Sequence, residues 1–197
     1  IPTLNPEGLN VVHEGLDVSF RKNKADYSPE GPFPNNYFDF DSAIGEDIDG
    51  VDLNRNFDFN WVFGDTFMEP DPSDYAAHYD YYRGPHPWSE SEIRILRDLA
   101  LENDFLLSII WHSARSGRFS EKVFSPWSWD GGKRTPDDAS IKLIGDHVAE
   151  LIIKENSSES YQSSYSSSRR GNAHDWLSLI HISEPTRPRL ISYAVFC

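Results

Sequence analysis

Four short groups of residues in this 197-residue chain have side chains able to do chemistry. Arg21 heads a basic cluster with Lys22 and Lys24, Asn54 and Arg55 stand side by side, His112 follows an apolar run, and six acids fall between Asp39 and Asp52. A planar guanidinium beside an amide donor can hold a carboxylate through directional, charge-assisted hydrogen bonds. An imidazole can ligate a metal. The acids are hard oxygen donors of the kind calcium takes, but their order fails the EF-hand pattern. Each group also has a plain reading: a solvated basic cluster, an Asn-Arg-Asn surface turn, a structural histidine, an acidic solvated loop. No single group decides between the two.

The elements around these groups are more definite. Ser89 to Asn103 (SESEIRILRDLALEN) carries apolar residues at helical spacing behind a Ser-x-x-Glu start, which predicts a capped amphipathic helix. Phe105 to Trp111 (FLLSIIW) is a continuous apolar run, which predicts a strand buried on both faces. Thr135-Pro136-Asp137-Asp138 supplies a cap, a first-turn proline and acids at the positive helix end, opening a helix through about Lys154. Ser157 to Ser168, with eight serines in twelve residues, reads as a flexible linker, and Ile1 to Leu4 reads as a strand. A buried strand between helices predicts an α/β fold: a mixed, mostly parallel twisted sheet with helices on both faces, incomplete at both ends. Ligands sit beyond the carboxyl ends of such strands, which is where His112 stands.

Composition removes other classes. A net charge of −14 without a basic block argues against nucleic acid and anionic membranes as partners. A hydrophobic content of 38% with six Trp and twelve Phe can close a core, which argues against disorder. The only methionine is Met68, so Ile1 is not expected to be the natural start.

The far end reads differently. Back-translated, Leu177 to Arg187 (LSLIHISEPTR) resembles the transposase adapter of shotgun sequencing libraries, and Ile191 to Cys197 (ISYAVFC) resembles the flow-cell primer that follows it. Pro188, Arg189 and Leu190 fill the interval of the last adapter base plus an index, so one frame runs through both. The expected division is therefore a natural segment 1–176 and an adapter-encoded tail 177–197. Such a tail should pack poorly or be forced into the place of a missing strand. Residues 1–176 contain no cysteine, which rules out disulfides and thiolate zinc sites there.

Read together, NPEG (Asn5 to Gly8), FRKN (Phe20 to Asn23), GVDLNRNF (Gly50 to Phe57), YRGPHPWSESE (Tyr82 to Glu92) and SIIWHS (Ser108 to Ser113) resemble the zinc metallocarboxypeptidase family of the carboxypeptidase A and B type. They occur in the family's order, and GVDLNRNF is the most specific of them. The resemblance implies a hydrolase that removes the C-terminal residue of peptides or proteins with a free C-terminus, using water activated by one zinc ion. Residues 1–176 would be part of its catalytic domain, from a secreted or extracellular bacterial protein.

By the same resemblance Asn54 and Arg55 hold the substrate's terminal carboxylate, Arg21 stabilises the oxyanion, and His112 is a zinc ligand. Adjacent side chains of an extended segment point apart, so a turn must bring Asn54 and Arg55 to one ligand. Tyr165, with Tyr161 as runner-up, would be the lid tyrosine, just before GNAHDW (Gly171 to Trp176). His174 falls where the family sets side-chain preference. Arg21, Asn54, Arg55 and His112 should line one cleft, with Asp52 and Asp175 the acids to hold the arginines.

Parts of the family pattern are not found. No His-x-x-Glu precedes NPEG, His13-Glu14 has the wrong spacing, and Glu184 lies in the tail and is not assigned the general-base role. The chain itself is therefore expected to be inactive. The competing classes are a non-catalytic relative that binds peptide C-termini, and an acidic calcium-dependent adhesion domain that would leave GVDLNRNF unexplained.

Overall fold

A computed structural model describes residues 1–16, 20–25, 50–61, 82–113, 121–128, 133–167, 171–180 and 191–196. The acidic stretch before Gly50 lies outside the described residues. The chain forms two compact units, Ile1–Leu99 with Arg170–Asn172, and Ala100–Arg169 with Ala173–Cys197.

The first unit opens with helix α1, Pro6–His13, where the Asn5 side chain accepts from the Gly8 amide at 2.9 Å and Pro6 stands in the first turn. Asparagine at the cap and proline just inside it are the residues a helix start favours. Ile1 to Leu4 forms no strand. A short 3-10 turn, Leu53–Arg55, follows, and then helix α2, Ser91–Glu102. The predicted cap of α2 is corrected: the Ser89 hydroxyl donates to Glu90 Oε1 at 2.6 Å and accepts from Asn56 at 2.8 Å. A polar contact to a distant residue has displaced the local capping motif. Val11, Val51, Leu53, Phe57 and Ile93 are the unit's buried apolar side chains, with Phe57 edge-on to Trp88.

The second unit is a mixed α/β sheet of four strands. Strand β1 is Leu107–His112, β2 is Lys122–Ser128, β3 is Gln162–Ser167 and β4 is Ile191–Phe196, in the order β1-β4-β2-β3. β1 and β4 run parallel, as do β2 and β3, while β2 and β4 are antiparallel. Helix α3, Asp138–Leu151, buries Ile141, Gly145 and Ala149, one helical face, and Ile141 and Ala149 pack with Val123 of β2 and Val195 of β4. Its N-cap is Asp137 rather than Thr135, and it ends three residues before Lys154. Helix α4, Ala173–Leu179, runs through Trp176 without interruption and buries Leu177 and Ser178.

Two sequence readings are corrected here. The run Phe105 to Trp111 is not buried on both faces: Leu107, Ile109 and Trp111 are exposed, Trp111 to 64%, while Ser108, Ile110 and His112 are half-buried. Side chains alternate across a strand, so a single uncovered face exposes every second residue. The serine-rich stretch is not simply a linker, because Gln162–Ser167 pairs in parallel with β2. Residues 191–196 lie between β1 and β2, with Ala194 and Val195 buried. Backbone hydrogen bonds from two neighbouring strands are sequence-independent, so that position accepts any extended segment of suitable alternation.

Candidate functional site

Arg21, Asn54 and Arg55 meet in the first unit around Asp52. The Asn5 amide donates to the Lys22 carbonyl at 2.9 Å, tying the start of α1 to the Arg21-Lys22 backbone. Gly8 permits this approach, since a Cβ there would lie 2.9 Å from the Lys22 carbonyl oxygen and closer still to Asn5. The Asn23 amide N–H donates to the Val51 carbonyl at 3.0 Å, and its side-chain oxygen accepts from the Val51 amide at 2.8 Å. The two segments are thus zipped together, which sets Arg21 beside Asp52 with Nη2 2.6 Å from Oδ2.

Asp52 is 2% exposed and starts the 3-10 turn: its Oδ1 accepts from the Asn54 amide at 3.1 Å, and its carbonyl accepts from the Arg55 amide at 2.8 Å. The expected turn is therefore present, closed by the Asp52 side chain and carbonyl on the backbone amides of the two residues that follow Leu53. Arg55 Nε lies 4.0 Å from Asp52 Oδ2, and Arg55 Nη1 donates to the Asn54 carbonyl at 2.5 Å and to Asn172 Oδ1 at 2.7 Å. Gly171 makes the last contact possible. Its φ is +72°, and a Cβ would sit 2.1 Å from the Arg55 carbonyl oxygen.

Asn56 organises the surrounding loop. Fully buried, it donates to the carbonyls of Arg83 and His86 and to Ser89 Oγ, and accepts from the Glu90 amide. Glu90, also buried, accepts from the Asn23 side chain at 2.5 Å, so the network reaches back to the segment that carries Arg21. Burial pushes the Tyr82 hydroxyl above its ordinary range, the Glu90 charge adds to the shift, and Arg83 opposes it. The Tyr82 carbonyl accepts from the Asp52 amide at 2.8 Å.

The remaining candidates belong to the second unit. His112 ends β1, and its Nδ1 lies 2.6 Å from the Ser113 carbonyl oxygen. A proton on Nδ1 would donate there, which places the imidazole lone pair on Nε2. Tyr165 stands in β3 opposite Ser125, its hydroxyl donating to Asp138 Oδ2 at 3.2 Å and its ring under the Arg134 guanidinium. Burial, then the bond to Asp138, raises its pKa, with Arg134 opposing. These contacts tie Tyr165 to the start of α3, so the loop position expected of a lid tyrosine is corrected to a strand position. Tyr161, the runner-up, packs against the core under α3. His174 and Asp175 are both buried in α4, with His174 Nε2 3.4 Å from Asp175 Oδ1 and the Trp127 amide donating to that same oxygen at 2.8 Å. Asp52 is therefore the acid that meets Arg21, and Asp175 is used inside the second unit.

A catalytic zinc takes three protein ligands and keeps a fourth position open. Among the described residues, no group of three or more His, Cys, Asp or Glu side chains could hold a metal ion. The described residues do not by themselves fit the ion.

Asn172 and Asn56 carry the site without having been singled out in the sequence. Asn172 lies within GNAHDW and Asn56 within GVDLNRNF, so both sat in segments already noted, with no role assigned to either.

The family model described as zinc carboxypeptidase matches residues 1–186, across Trp176, and the chain belongs to that family. Carboxypeptidase B of Astacus astacus is 29% identical over 140 residues, covering 70% of this chain and 36% of its own length. Carboxypeptidase B of Helicoverpa zea is 26% identical, covering 77% of this chain and 30% of its own. Among solved structures, carboxypeptidase A from Helicoverpa armigera is similar in fold, with a TM-score of 0.66 at 23% identity, over 100% of this chain and 41% of that one. The chain spans about a third of the length of these curated relatives. Among the described residues no helix is long and apolar enough to cross a membrane.

Proposed function

We propose that this chain is part of a secreted metallocarboxypeptidase that hydrolyses the C-terminal peptide bond of peptides or proteins. The observation that carries the reading is the gathering of Arg21, Asn54 and Arg55 around one buried acid. Two guanidinia held in a site of low exposure favour an anion, and a terminal carboxylate matches the flat, two-donor face of arginine. In this reading Asn54 and Arg55 bind that carboxylate. Arg21 places its charge where the carbonyl oxygen becomes negative in the transition state, an interaction that strengthens as the reaction proceeds. His112 is the zinc ligand this chain contributes, and His174 bears on side-chain preference. Tyr165, its hydroxyl bonded to Asp138, is the tyrosine that caps the bound substrate. Because one imidazole does not make a zinc site, the 197-residue chain by itself is hydrolytically silent, and residues 177–197 are a tail added by the adapter.

The test is to recover the complete reading frame and express it. Zinc-dependent release of the last residue from a peptide with a free C-terminus, lost on C-terminal amidation and reduced by Arg55→Ala, is the expected result. Binding of the free-acid peptide without hydrolysis would instead identify a non-catalytic relative. Equal cleavage of acid and amide would sink the carboxylate site.

A further inference from the structure

We propose that Asn156, at the tip of the turn between α3 and β3, is the acceptor of an N-linked glycan that the folded chain carries without loss of stability. Asn156-Ser157-Ser158 is an Asn-x-Ser triplet without proline at its centre, and the 197 residues contain no other Asn-x-Ser or Asn-x-Thr. The asparagine amide is the group modified, and the hydroxyl two residues on completes the acceptor sequence. The inference rests on the secreted reading above, because this modification belongs to surface loops of exported proteins.

The backbone holds the triplet out from the second unit. Past the end of α3, the Tyr161 amide donates to the Ile152 carbonyl at 2.8 Å and the Lys154 amide to the Glu159 carbonyl at 2.9 Å, around an antiparallel bridge of Ile153 with Ser160. The Lys154 ammonium meets Glu159 Oε2 at 2.8 Å across the same two strands of the turn, and Ser160 Oγ donates to the Glu150 carbonyl at 2.9 Å. The Ser157 amide donates to the Lys154 carbonyl at 3.3 Å, so the chain reverses within residues 154–157. Asn156 is third in that reversal, with φ +57°, a left-handed conformation that asparagine tolerates better than most residues. Residues 155–159 are all exposed.

The turn does not use the whole triplet. Its backbone asks for asparagine or glycine at 156, and Ser157 Oγ accepts from the Glu159 amide at 3.0 Å. The Asn156 side chain and the Ser158 hydroxyl make no hydrogen bond or ion pair with the described residues. Both groups that the modification needs are therefore spare and face solvent, and a glycan there displaces no contact of the fold. In the transfer, the Asn156 amide nitrogen forms a bond to the anomeric carbon of an oligosaccharide carried on a lipid pyrophosphate. The bond from that carbon to the pyrophosphate oxygen breaks, the lipid pyrophosphate leaves with the electron pair, and one amide proton passes to a base of the transferase.

The experiment expresses the 197-residue chain behind a supplied secretory leader in a eukaryotic host, beside a control glycoprotein. Occupancy is read by mass spectrometry in the cells and in the medium, so retention of a variant does not hide the result. The unaltered chain should carry one glycan, removed by peptide N-glycosidase with aspartate left at that position in the peptide. Asn156→Gln and Ser158→Ala should each abolish it, while Ser157→Ala and Ser158→Thr should keep it. The glycosylated chain and its enzymatically deglycosylated form should melt within about 2 °C of each other, as surface changes without contacts do. An unaltered chain that stays unmodified while the control is glycosylated overturns the inference, and so does a glycan that survives Asn156→Gln. A glycosylated form that melts well below the deglycosylated one also overturns it. The complete natural frame, expressed with its own first residues, tests the underlying reading separately: recovery in the cytosol overturns secretion, while the supplied-leader result still decides the acceptor site.

Discussion

The Arg55 guanidinium donates to the Asn172 side-chain oxygen at 2.7 Å, a contact between residues 117 apart in sequence. It joins the turn that carries Arg55 to the short Gly171-Asn172 segment, which folds with the first unit although Ala173, the next residue, belongs to the second.

Asn172→Ala should leave a buried guanidinium N–H without this acceptor. A buried donor stripped of its partner costs roughly 1–3 kcal/mol, more toward the upper end for a charged group. Urea denaturation of the chain should show a loss of that size, with binding of free-acid peptides weakened more than binding of amides.

Gly171→Ala should be as harmful by a different route. The residue has φ +72° and its added Cβ would meet the Arg55 carbonyl oxygen at 2.1 Å. The left-handed conformation alone costs a non-glycine residue roughly 1–2 kcal/mol, and the overlap with backbone adds to it. A fall in melting temperature larger than that of Asn172→Ala is expected. Unchanged stability would show that the segment is not seated against Arg55.

Tyr165 gives a pH prediction. Burial and the Asp138 bond raise its folded pKa above the ordinary value of 10.0. The folded state therefore keeps this proton to higher pH than the unfolded chain does. The associated stability is fully present below pH 10 and is lost as pH rises through the raised folded value. Tyr165→Phe should flatten the alkaline fall in stability and remove one tyrosine's amplitude from the high-pH part of the 295 nm titration. Tyr82 shifts in the same direction and should persist in that variant.

Zinc gives a fourth. With His112 as its one proposed ligand, the 197-residue chain should bind the ion weakly, and His112→Ala should weaken binding further. Chromatography of peptides incubated with the chain and zinc should find no C-terminal residue released. Measurable release would overturn the assignment of inactivity.

The tail gives a fifth. Independent reads across Trp176 from the source sample should continue into sequence unrelated to Leu177–Cys197. The same codons appearing in separately prepared libraries would establish residues 177–197 as genuine.

Much of the site was legible in the chain because its parts are local. Asn5 with Pro6 starts a helix, and Asp52 bonding to the Asn54 amide makes a turn within three residues; both follow from side chains reaching their own backbone. GVDLNRNF was read as a functional segment through its resemblance to the family, not from local geometry. Element type was legible for α2, α3 and β1, where hydrophobic spacing is strong, but burial was not. The FLLSIIW run looked buried on both faces, and whether a strand face is covered depends on elements elsewhere, as exposed Trp111 shows. The serines of 160–168 have little pattern of their own, and their strand exists through pairing with β2. Ser89 sat in a good capping sequence until Asn56 claimed its hydroxyl. The contacts that make a site of the arginines, Asp52 to Arg21 and Asn172 to Arg55, join residues with no local relation. Local sequence determined which groups were present and how each turn closed. Only the tertiary structure decided which acid and which amide would hold which guanidinium, because a charged side chain brought out of water takes whichever partner the packed backbone sets within reach.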